Sequence, residues 1–299
     1  MEKSIKKIIC YGEVLWDFQF GGLKPAGAPL NVAYHLKKMG IQSYIISNVG
    51  NDILGEKLLK IIKKWGVDNT LCRVDKTYST GKVIAKVDSF IQEVNYEIME
   101  PVAWDFIALE KDHSKIIEKT DGFVFQSLTA RNEISRKTLH ALLEYSCYKI
   151  FDVNLRPPYY SEQIIIELLE KSDLVKMSIS ELYEIVSWFQ ECKISEEEAV
   201  CFLKECFNLK ELLITKGNYG ASYYGGNNNI YERWGIPINV KDTVGSGDAF
   251  LAGFLAKKIN GNSNEEAIEQ AITLGAFVAS KEGSCPYYEH CYCKISHFL

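Results

Sequence analysis

The sequence lacks the marks of several common classes of protein. It contains no C-x-x-C pair, no Walker A pattern and no uninterrupted apolar run of about 18 residues, the length that a membrane span needs. These absences disfavour a P-loop NTPase and a membrane protein. The nine cysteines are an odd number, so we expect reduced thiols in a cytosolic protein rather than a disulfide framework.

An excess of positive charge is also missing. The formal net charge is -5, and the Lys and Arg residues are scattered along the chain. No broad basic surface is therefore expected for nucleic acid or an anionic membrane, although a local anion site stays open. An early apolar run follows basic residues, but Gly12, Glu13 and Asp17 interrupt it well short of a signal-peptide core. We expect a soluble, cytoplasmic protein.

One group of Cys and His residues has the composition of a metal site. It consists of Cys285, His290, Cys291, Cys293 and His297. The spacing of these residues matches no common zinc pattern. We therefore expect surface or packed thiols in this segment rather than a structural metal.

The order of apolar runs indicates the fold class. In 299 residues, 47% of them hydrophobic, short strand-like runs such as "SYIISNVG" and "DGFVFQS" alternate with helix-like runs such as "LGEKLLKIIKKWG". This alternation is typical of βαβ units and a mostly parallel sheet covered by helices. The sequence predicts an α/β protein with helices on both faces of the sheet, in one domain over residues 1–299.

Two segments depart from that alternation. Polar and apolar residues alternate in "TGKVIAKVDSFIQEVNYEIM", from Thr80 to Met99, which predicts an antiparallel hairpin. Together with "DFQFGG" at 17–22, it predicts a small sheet standing off the main domain, with strands from about 17–24 and 78–100. We expect this small sheet to act as a lid, and its apolar face could pair two subunits.

Several helix starts are predicted from residues that can bond to the first N–H groups of a helix. Ser195 with Glu198, and Ser263 with Glu266, fit the S-x-x-E capping box. A third helix is predicted from Asp248 to Ile259, after the small residues "GSG" at 245–247. The free N–H groups and the dipole of such a start favour an anion, and small residues let a phosphate oxygen approach closely.

Asp248 at this start has two readings. A carboxylate beside a bound phosphate would be repelled by it, so phosphate binding alone does not explain Asp248. The position is explained if Asp248 accepts a proton from a hydroxyl that attacks the phosphate. The alternative is that Asp248 only caps the helix. The spacing alone leaves both readings open.

Two motifs in the correct order resemble those of the ribokinase-like, or PfkB-type, carbohydrate kinases. "DTVGSGDAF" resembles the D-T-x-G-A-G-D motif, with Ser246 in place of alanine, and "AGAPLNVAYHLKKMG" is similar to the G-G-x-x-x-N-x-A motif, with Ala26 in place of glycine. The resemblance implies a three-layer α/β/α fold with a small β-sheet lid. It also implies that Asp248 is the catalytic base and that the amides of Gly245, Ser246 and Gly247 hold the transferred phosphoryl group.

The resemblance also implies which residues bind the sugar. "GEVLWD" matches the G-E-x-L-x-D opening of fructokinase-like members, which makes Asp17 an acceptor for sugar hydroxyls, with Gly27 and Asn31 as further contacts. "DVNLRPPYY" resembles a D-x-N-x-R segment, which makes Asn154 and Arg156 contacts to substrate or phosphate. The alternatives are a strand-end turn for Asp17 and a surface ion pair for Arg156.

The resemblance further implies which residues bind the nucleotide. "SISE" aligns with the N-x-x-E element linked to magnesium and phosphate, giving Ser178 and Glu181, although S-x-x-E is also a capping box. "LLITKGNYGASYY" is similar to the T-x-G-x-x-G turn, and gives nucleotide contacts that consist of Thr215, Gly217 and Gly220. The implied cofactors are ATP and Mg²⁺.

Some relatives also possess a monovalent-cation site, which for this chain would be a K⁺ site. It would include Asp242 and Val244, with Gly283 and Ser284 near its remaining ligands. Whether this chain keeps the site stays open.

Three functions remain as alternatives. The first is an ATP-dependent sugar kinase acting on fructose, and the second changes the acceptor to 2-keto-3-deoxygluconate, or to a ribose or nucleoside. A sugar acid would require a cationic partner in the pocket. The third is a non-catalytic sugar-binding regulator, which the departures at Ala26, Ser178 and Ser246 permit. In each case the expected ligands are small molecules, not nucleic acid or membrane.

Overall fold

The structure is a computed structural model that describes residues 5–19, 22–87, 94–146, 148–190, 194–226 and 229–289. The five Cys and His residues singled out above are divided by these limits. Cys285 is described, and His290, Cys291, Cys293 and His297 lie outside the described residues.

Strands and helices alternate through most of the chain. The strands are β1 (Lys7–Tyr11), β2 (Leu15–Gln19), β3 (Gly22–Ala26), β4 (Gln42–Gly50), β5 (Cys72–Asp75), β6 (Gly81–Val87), β7 (Val94–Ile98), β8 (Gly122–Gln126), β9 (Lys149–Asp152), β10 (Leu174–Ser178), β11 (Glu211–Thr215), β12 (Ala221–Tyr224) and β13 (Ile230–Arg233). The α-helices are α1 (Ala28–Lys38), α2 (Ile53–Trp65), α3 (Lys111–Ile117), α4 (Glu133–Leu143), α5 (Glu162–Glu170), α6 (Ile179–Ser187), α7 (Glu196–Phe207), α8 (Ser246–Ile259) and α9 (Asn264–Ala279).

The main sheet has nine strands in the order β13-β12-β11-β10-β9-β8-β1-β4-β5. All neighbouring pairs from β11 to β5 are parallel, and only β12 and β13 run antiparallel to their neighbours. Consecutive side chains of a strand point to opposite faces of the sheet. All five residues of β8 are buried, so both faces of the sheet are covered there. On β8, Phe123 and Phe125 belong to a core cluster with residues of α3 to α7, whereas Val124 belongs to a second cluster with residues of α1, α2, α8 and α9. The predicted three-layer α/β/α fold is confirmed.

A second, small sheet has four strands in the order β3-β2-β6-β7. β6 and β7 pair antiparallel, as the alternating pattern predicts, and β2 joins them by pairing parallel with β6 and antiparallel with β3. Residues 20–21 and 88–93 of the predicted strands lie outside the described residues. Phe18 and Leu23 of this sheet are exposed, and pairing of two subunits through it stays a prediction.

The helix ends follow the local sequence. Gly66 ends α2 in the left-handed region, at a φ of 78°, and both predicted capping boxes are present, at Ser195 before α7 and at Ser263 before α9. The predicted start of α8 at Asp248 is wrong by two residues. Gly245, at a φ of 76°, is the residue before the helix, so the first turn already begins at Ser246.

Two further expectations concern cysteines and membranes. Within the described ranges, every cysteine is a free thiol: Cys10, Cys72, Cys201, Cys206 and Cys285. None of the helices in the described part of the chain is long and apolar enough to cross a bilayer.

Candidate active site

Polar side chains mark the ends of four neighbouring strands in the middle of the main sheet. Gln126 ends β8, Asp152 ends β9, Lys176 lies near the end of β10, and Thr215 ends β11. Parallel strands place their carboxyl ends at one edge of the sheet, which is where ligands bind in open α/β sheets. The first turn of α8 faces this edge, since a Cβ placed on Gly247 would lie 3.1 Å from Lys176 Nζ.

Asp248 is buried at this edge, as the third residue of α8. Asn31 of α1 donates a hydrogen bond from Nδ2 to Asp248 Oδ2 at 2.8 Å. Burial raises the pKa of Asp248, while the hydrogen bond from Asn31 and the positive charges of Lys176 and Arg156 oppose that rise. The capping alternative is wrong, because the cap position of α8 is Gly245 and no side chain caps the helix.

Asn31 is held in place from the opposite side. Ser284 Oγ lies 3.0 Å and Cys285 Sγ lies 3.3 Å from Asn31 Oδ1, and both groups donate to it. The amide of Asn31 therefore has its nitrogen directed at Asp248 and its oxygen directed at the loop after α9. Two motifs that are distant in sequence therefore meet at this contact.

Gly27 immediately precedes α1 and needs to be glycine for two reasons. Its φ is 121°, and a Cβ would stand 2.3 Å from the carbonyl oxygen of Glu13. Glu13 is buried there, where it accepts hydrogen bonds from Thr129 Oγ1 at 2.9 Å and from the amide of Ala28 at 3.2 Å. Burial raises the pKa of Glu13 to about 7. Glu13 is not among the predicted site residues, although it lies inside the "GEVLWD" motif.

Asp17 lies in the small sheet, whose strand β3 ends just before Gly27. Its strand, β2, places it opposite Lys24 of β3 and Val83 of β6, and its side chain is half-buried. The strand-end alternative is wrong, because Asp17 is the middle residue of β2. β3 leads directly through Gly27 into α1, so the small sheet and Asn31 adjoin each other in the chain.

The first turn of α8 keeps its amides free of side-chain caps. A Cβ on Gly245 would lie 2.4 Å from the Cβ of Ser284, so the loop after α9 closes against this turn. The hydroxyl of Ser246 donates to the carbonyl of Thr243 at 2.8 Å and does not compete for the N–H groups. The amide of Ser246 donates to the carbonyl of Thr243 at 3.2 Å, whereas the amides of Gly245 and Gly247 have no hydrogen-bond partner among the described residues. Unpaired N–H groups at a helix start attract an anion.

Lys176 and Asp152 form a buried ion pair beside this turn. Lys176 Nζ lies 2.9 Å from Asp152 Oδ1, and Gln126 Nε2 donates to Asp152 Oδ2 at 3.3 Å. Burial raises the pKa of Asp152 to about 6, although Lys176 opposes the shift. Burial alone would lower the pKa of Lys176, but the carboxylates of Asp152, Glu181 and Asp248 outweigh it and keep the ammonium charged. The sequence analysis missed Lys176, Asp152 and Gln126.

Asn154 and Arg156 follow β9 at the same edge. Asn154 adopts a φ of 42° and donates from Nδ2 to Gln126 Oε1 at 2.7 Å, which ties it to the Asp152 pair. Arg156 is exposed and donates to the carbonyl of Leu155. The surface ion-pair alternative for Arg156 has no support in the described residues, where no ion pair involves it.

Ser178 and Glu181 form a capping box at the start of α6. Glu181 Oε2 accepts from the amide and the hydroxyl of Ser178, at 2.7 and 2.9 Å. Glu181 Oε1 accepts from the amide of Leu155 at 2.7 Å, which joins α6 to the segment that carries Asn154. A carboxylate has about four lone-pair positions, so Oε1 retains one for a further partner.

The other predicted nucleotide contacts lie at the end of β11. Thr215 stands beside Ser178 in the register of the two strands. Gly220 has a φ of 95°, and a Cβ there would lie 1.9 Å from the carbonyl oxygen of Arg233, so the fold itself requires this glycine. Gly217 is exposed, with open space where a Cβ would stand.

Asp242 joins the loop before α8 to the loop after α9. Its carboxylate accepts from the amide of Val244 at 3.0 Å and from the amide of Gly283 at 2.9 Å. Within the described ranges, no group of three or more Cys, His, Asp or Glu side chains stands ready to hold a metal ion. A cation here would therefore depend on carbonyl oxygens beside Asp242.

Comparisons with known proteins agree with this arrangement. The model of the pfkB family of carbohydrate kinases matches residues 5–291. Among curated relatives, "Probable fructokinase-7" of Arabidopsis thaliana is 27% identical over 93% of this chain and 88% of its own length. "Putative sugar kinase PH1459" of Pyrococcus horikoshii is 30% identical over 83% of this chain and 81% of its own length.

A solved structure supports the same fold. A fructokinase double mutant from Vibrio cholerae O395 superposes with a TM-score of 0.82, at 23% identity, over 95% of this chain and 96% of that one. The chain belongs to the pfkB family of carbohydrate kinases, and is a phosphotransferase with an alcohol group as acceptor.

Proposed function

We propose that this protein is an ATP-dependent fructokinase. The observation that carries the proposal is the hydrogen bond between Asn31 and Asp248, which places a buried carboxylate beside the uncapped first turn of α8. A proton acceptor and a set of unpaired N–H groups at one point are what phosphoryl transfer to a hydroxyl requires.

In the proposed reaction, Asp248 accepts the proton of one sugar hydroxyl. The hydroxyl oxygen forms a bond to the γ-phosphorus of ATP as the bond from that phosphorus to its bridging oxygen breaks. The products are the sugar phosphate and ADP. The amides of Gly245, Ser246 and Gly247 donate to the phosphoryl oxygens as charge develops on them.

The nucleotide and its ions belong to the same proposal. The related PH1459 protein has been solved in complex with ATP, a putative ribokinase II from Escherichia coli with ATP and Mg²⁺, and the Vibrio cholerae protein with fructose, ADP and potassium ion. Thr215, Gly217 and Gly220 would lie on the nucleotide side. K⁺ would bind at the loop of Asp242 and Val244.

The residues present fit a magnesium ion that is bound mainly through phosphate oxygens and water. Glu181 Oε1, at the start of α6, has one hydrogen-bond donor and retains a lone pair, and hard cations prefer oxygen ligands. Glu181 would contact the hydrated ion, with Ser178 beside it. The ion would neutralise charge on the phosphates.

Fructose is the proposed acceptor because curated relatives over most of the chain are fructokinases of plants and of Escherichia coli. Asp17, Gly27 and Asn31 would face the sugar, and Asn154 and Arg156 would meet the sugar or the phosphate. The small sheet would act as a lid that excludes water, which would otherwise accept the phosphoryl group.

A substrate panel tests the proposal. Coupled detection of ADP with Mg·ATP should show turnover on fructose, and less or none on 2-keto-3-deoxygluconate and ribose. Asp248→Asn should lower kcat about 10²- to 10⁴-fold, the usual contribution of a general base, while fructose still raises the melting temperature of the variant. Turnover on the sugar acid but not on fructose, or an unimpaired Asp248→Asn enzyme, would contradict the proposal.

A further inference from the structure

Lys176 is a buried lysine whose partners do not use all of its hydrogen-bonding capacity. It lies in a central strand, β10, and its side chain is 9% exposed. Asp152 Oδ1 is its single hydrogen-bond partner among the described residues. A lysine ammonium carries three N–H donors, so two remain. A buried donor without a partner costs free energy, which makes this position unusual for a purely structural lysine.

The free side of the ammonium faces the first turn of α8. The 3.1 Å separation between Lys176 Nζ and a Cβ placed on Gly247 means that only glycine leaves open space between them. Asp248 is the next residue of the helix. The space is therefore bounded by a cation, by the amide of Gly247, which has no hydrogen-bond partner among the described residues, and by the proposed catalytic base.

Structural pairing alone is a weak explanation for Lys176. Buried ion pairs often contribute little to stability, because the desolvation of both charges offsets their attraction. Asp152 also has a second donor in Gln126, at 3.3 Å from its other oxygen. The pair instead holds an ammonium group at a fixed position beside an anion-binding turn.

We propose that Lys176 is a further catalytic residue, which donates a hydrogen bond to an oxygen of the transferred phosphoryl group opposite the amides of α8. This inference rests on the proposed kinase function. Lysine suits the role because its ammonium is a compact point charge that interacts well with phosphate. Asp152 is then a positioning residue, since it contacts Lys176 and would act on the phosphoryl group only through that lysine.

The proposal assigns a separate task to each residue at the end of β10. Both oxygens of Glu181 and the hydroxyl of Ser178 already take part in contacts around the start of α6. Lys176 is two residues earlier on the strand, so its side chain lies on the same face as Ser178 but deeper in the sheet. Glu181 is an anion and the hydroxyl of Ser178 is neutral, so the direct cationic contact to the phosphoryl group would come from Lys176.

Three variants and a control test this role. Lys176→Met keeps the length of the side chain without the charge. The double variant Lys176→Met with Asp152→Asn removes both charges, so that no buried carboxylate is left unpaired. The control is Lys258→Met at the other end of α8, where Lys258 is also partly buried, pairs with Glu211 at 3.2 Å and donates to Tyr223. Lys176→Arg keeps the charge on a different shape.

The proposal predicts a lower kcat with little change in KM for fructose. Lys176→Met should lose about 10²- to 10³-fold in kcat, as when one donor to a developing charge is removed. The double variant should remain about as slow, Lys176→Arg should recover part of the rate, and Lys258→Met should match the wild type. Recovery of the rate in the double variant would overturn the proposal, because Lys176 would then serve only to neutralise Asp152.

Nucleotide binding separates this inference from the proposed function. Calorimetry without any sugar compares the affinity for ATP with that for ADP, and only ATP carries the γ-phosphoryl group. Lys176→Met should lose about 10-fold in affinity for ATP and little in affinity for ADP. Equal losses for both nucleotides, or no loss for either, would overturn the role of Lys176. A wild-type protein that prefers ATP but phosphorylates no sugar would contradict the proposed function alone.

Discussion

Two helices begin at the same edge of the main sheet, and each has an acidic residue at its third position. In α6 this residue is Glu181, whose carboxylate folds back onto Ser178 and closes the start of the helix. In α8 it is Asp248, whose carboxylate reaches across to Asn31 of α1 instead. The residue before α8 is Gly245, which offers no side-chain cap.

The difference shows that a helix start becomes an anion site only when its own side chains leave the amides unpaired. Ser178 and Glu181 satisfy each other's N–H groups at the start of α6, and stabilise the helix. Glycine at the start of α8 provides no such side-chain cap, so the N–H groups of Gly245 and Gly247 and the helix dipole stay available to a ligand. We call the start of α6 closed, because its side chains cap it, and the start of α8 open, because no side chain does. Variants at the two starts test this contrast.

Gly247→Ala should obstruct the open start without weakening the fold. The new Cβ would meet only the flexible end of Lys176 among its close neighbours, and alanine favours a helix over glycine by about 1 kcal/mol. We expect kcat to fall about 10- to 100-fold while the melting temperature stays the same or rises.

The matched control is Gly226→Ala, where a Cβ has nothing within 4 Å. Steady-state kinetics and thermal unfolding of both variants provide the test. A loss of activity that parallels a loss of stability would mean that the open start of α8 has no special role.

Asn31→Ala should alter the pH dependence of kcat/KM, through the pKa of Asp248 at the open start. The base acts when it is ionised, so kcat/KM falls as the pH drops through the pKa of Asp248, which burial already raises. The hydrogen bond from Asn31 stabilises the carboxylate. Its loss should raise that pKa further, so the acid limb of the profile should move to higher pH.

The shift should be about one pH unit, since a hydrogen bond to a charged group contributes about 1.5 kcal/mol and one unit corresponds to 1.36 kcal/mol. The midpoint of the profile is informative even if KM for the sugar also rises. An unmoved acid limb, or one that moves to lower pH, would separate Asn31 from the ionisation of Asp248.

The sequence was sufficient for the fold and for the two principal motifs. Alternating strand-like and helix-like runs, capping boxes at Ser195 and Ser263, and glycine at Gly66 all act locally, so their structural effects are readable from a short segment. The separate roles of Asn31 and Asp248 were accessible only through the resemblance of both motifs to one family, and the contact between the two residues was not predicted.

The residues that sequence reasoning missed are defined by tertiary contacts. Lys176 lies within the run "LVKMS", and Gln126 ends "FVFQS", with no spacing that links one to the other. Their common feature is a polar residue at the end of a buried parallel strand, which is a usable signal. The start of α8 was misplaced because the positive φ of Gly245, and not an acidic cap, sets it.

Ser178→Ala tests the closed start, where the smallest effect on turnover is expected. Removal of the hydroxyl leaves the amide of Glu181 without its cap, so unfolding should become easier by about 1 kcal/mol. Ser195→Ala at the similar capping box of α7 should cost the same stability and serves as the control. If α6 is closed by its own side chains, both variants should change kcat and KM for ATP less than about threefold, because the backbone at the end of β10 still positions Lys176. A rise in KM for ATP that is confined to Ser178→Ala would mean that this hydroxyl exchanges its cap for the nucleotide, and the start of α6 would then belong to the phosphate site as well.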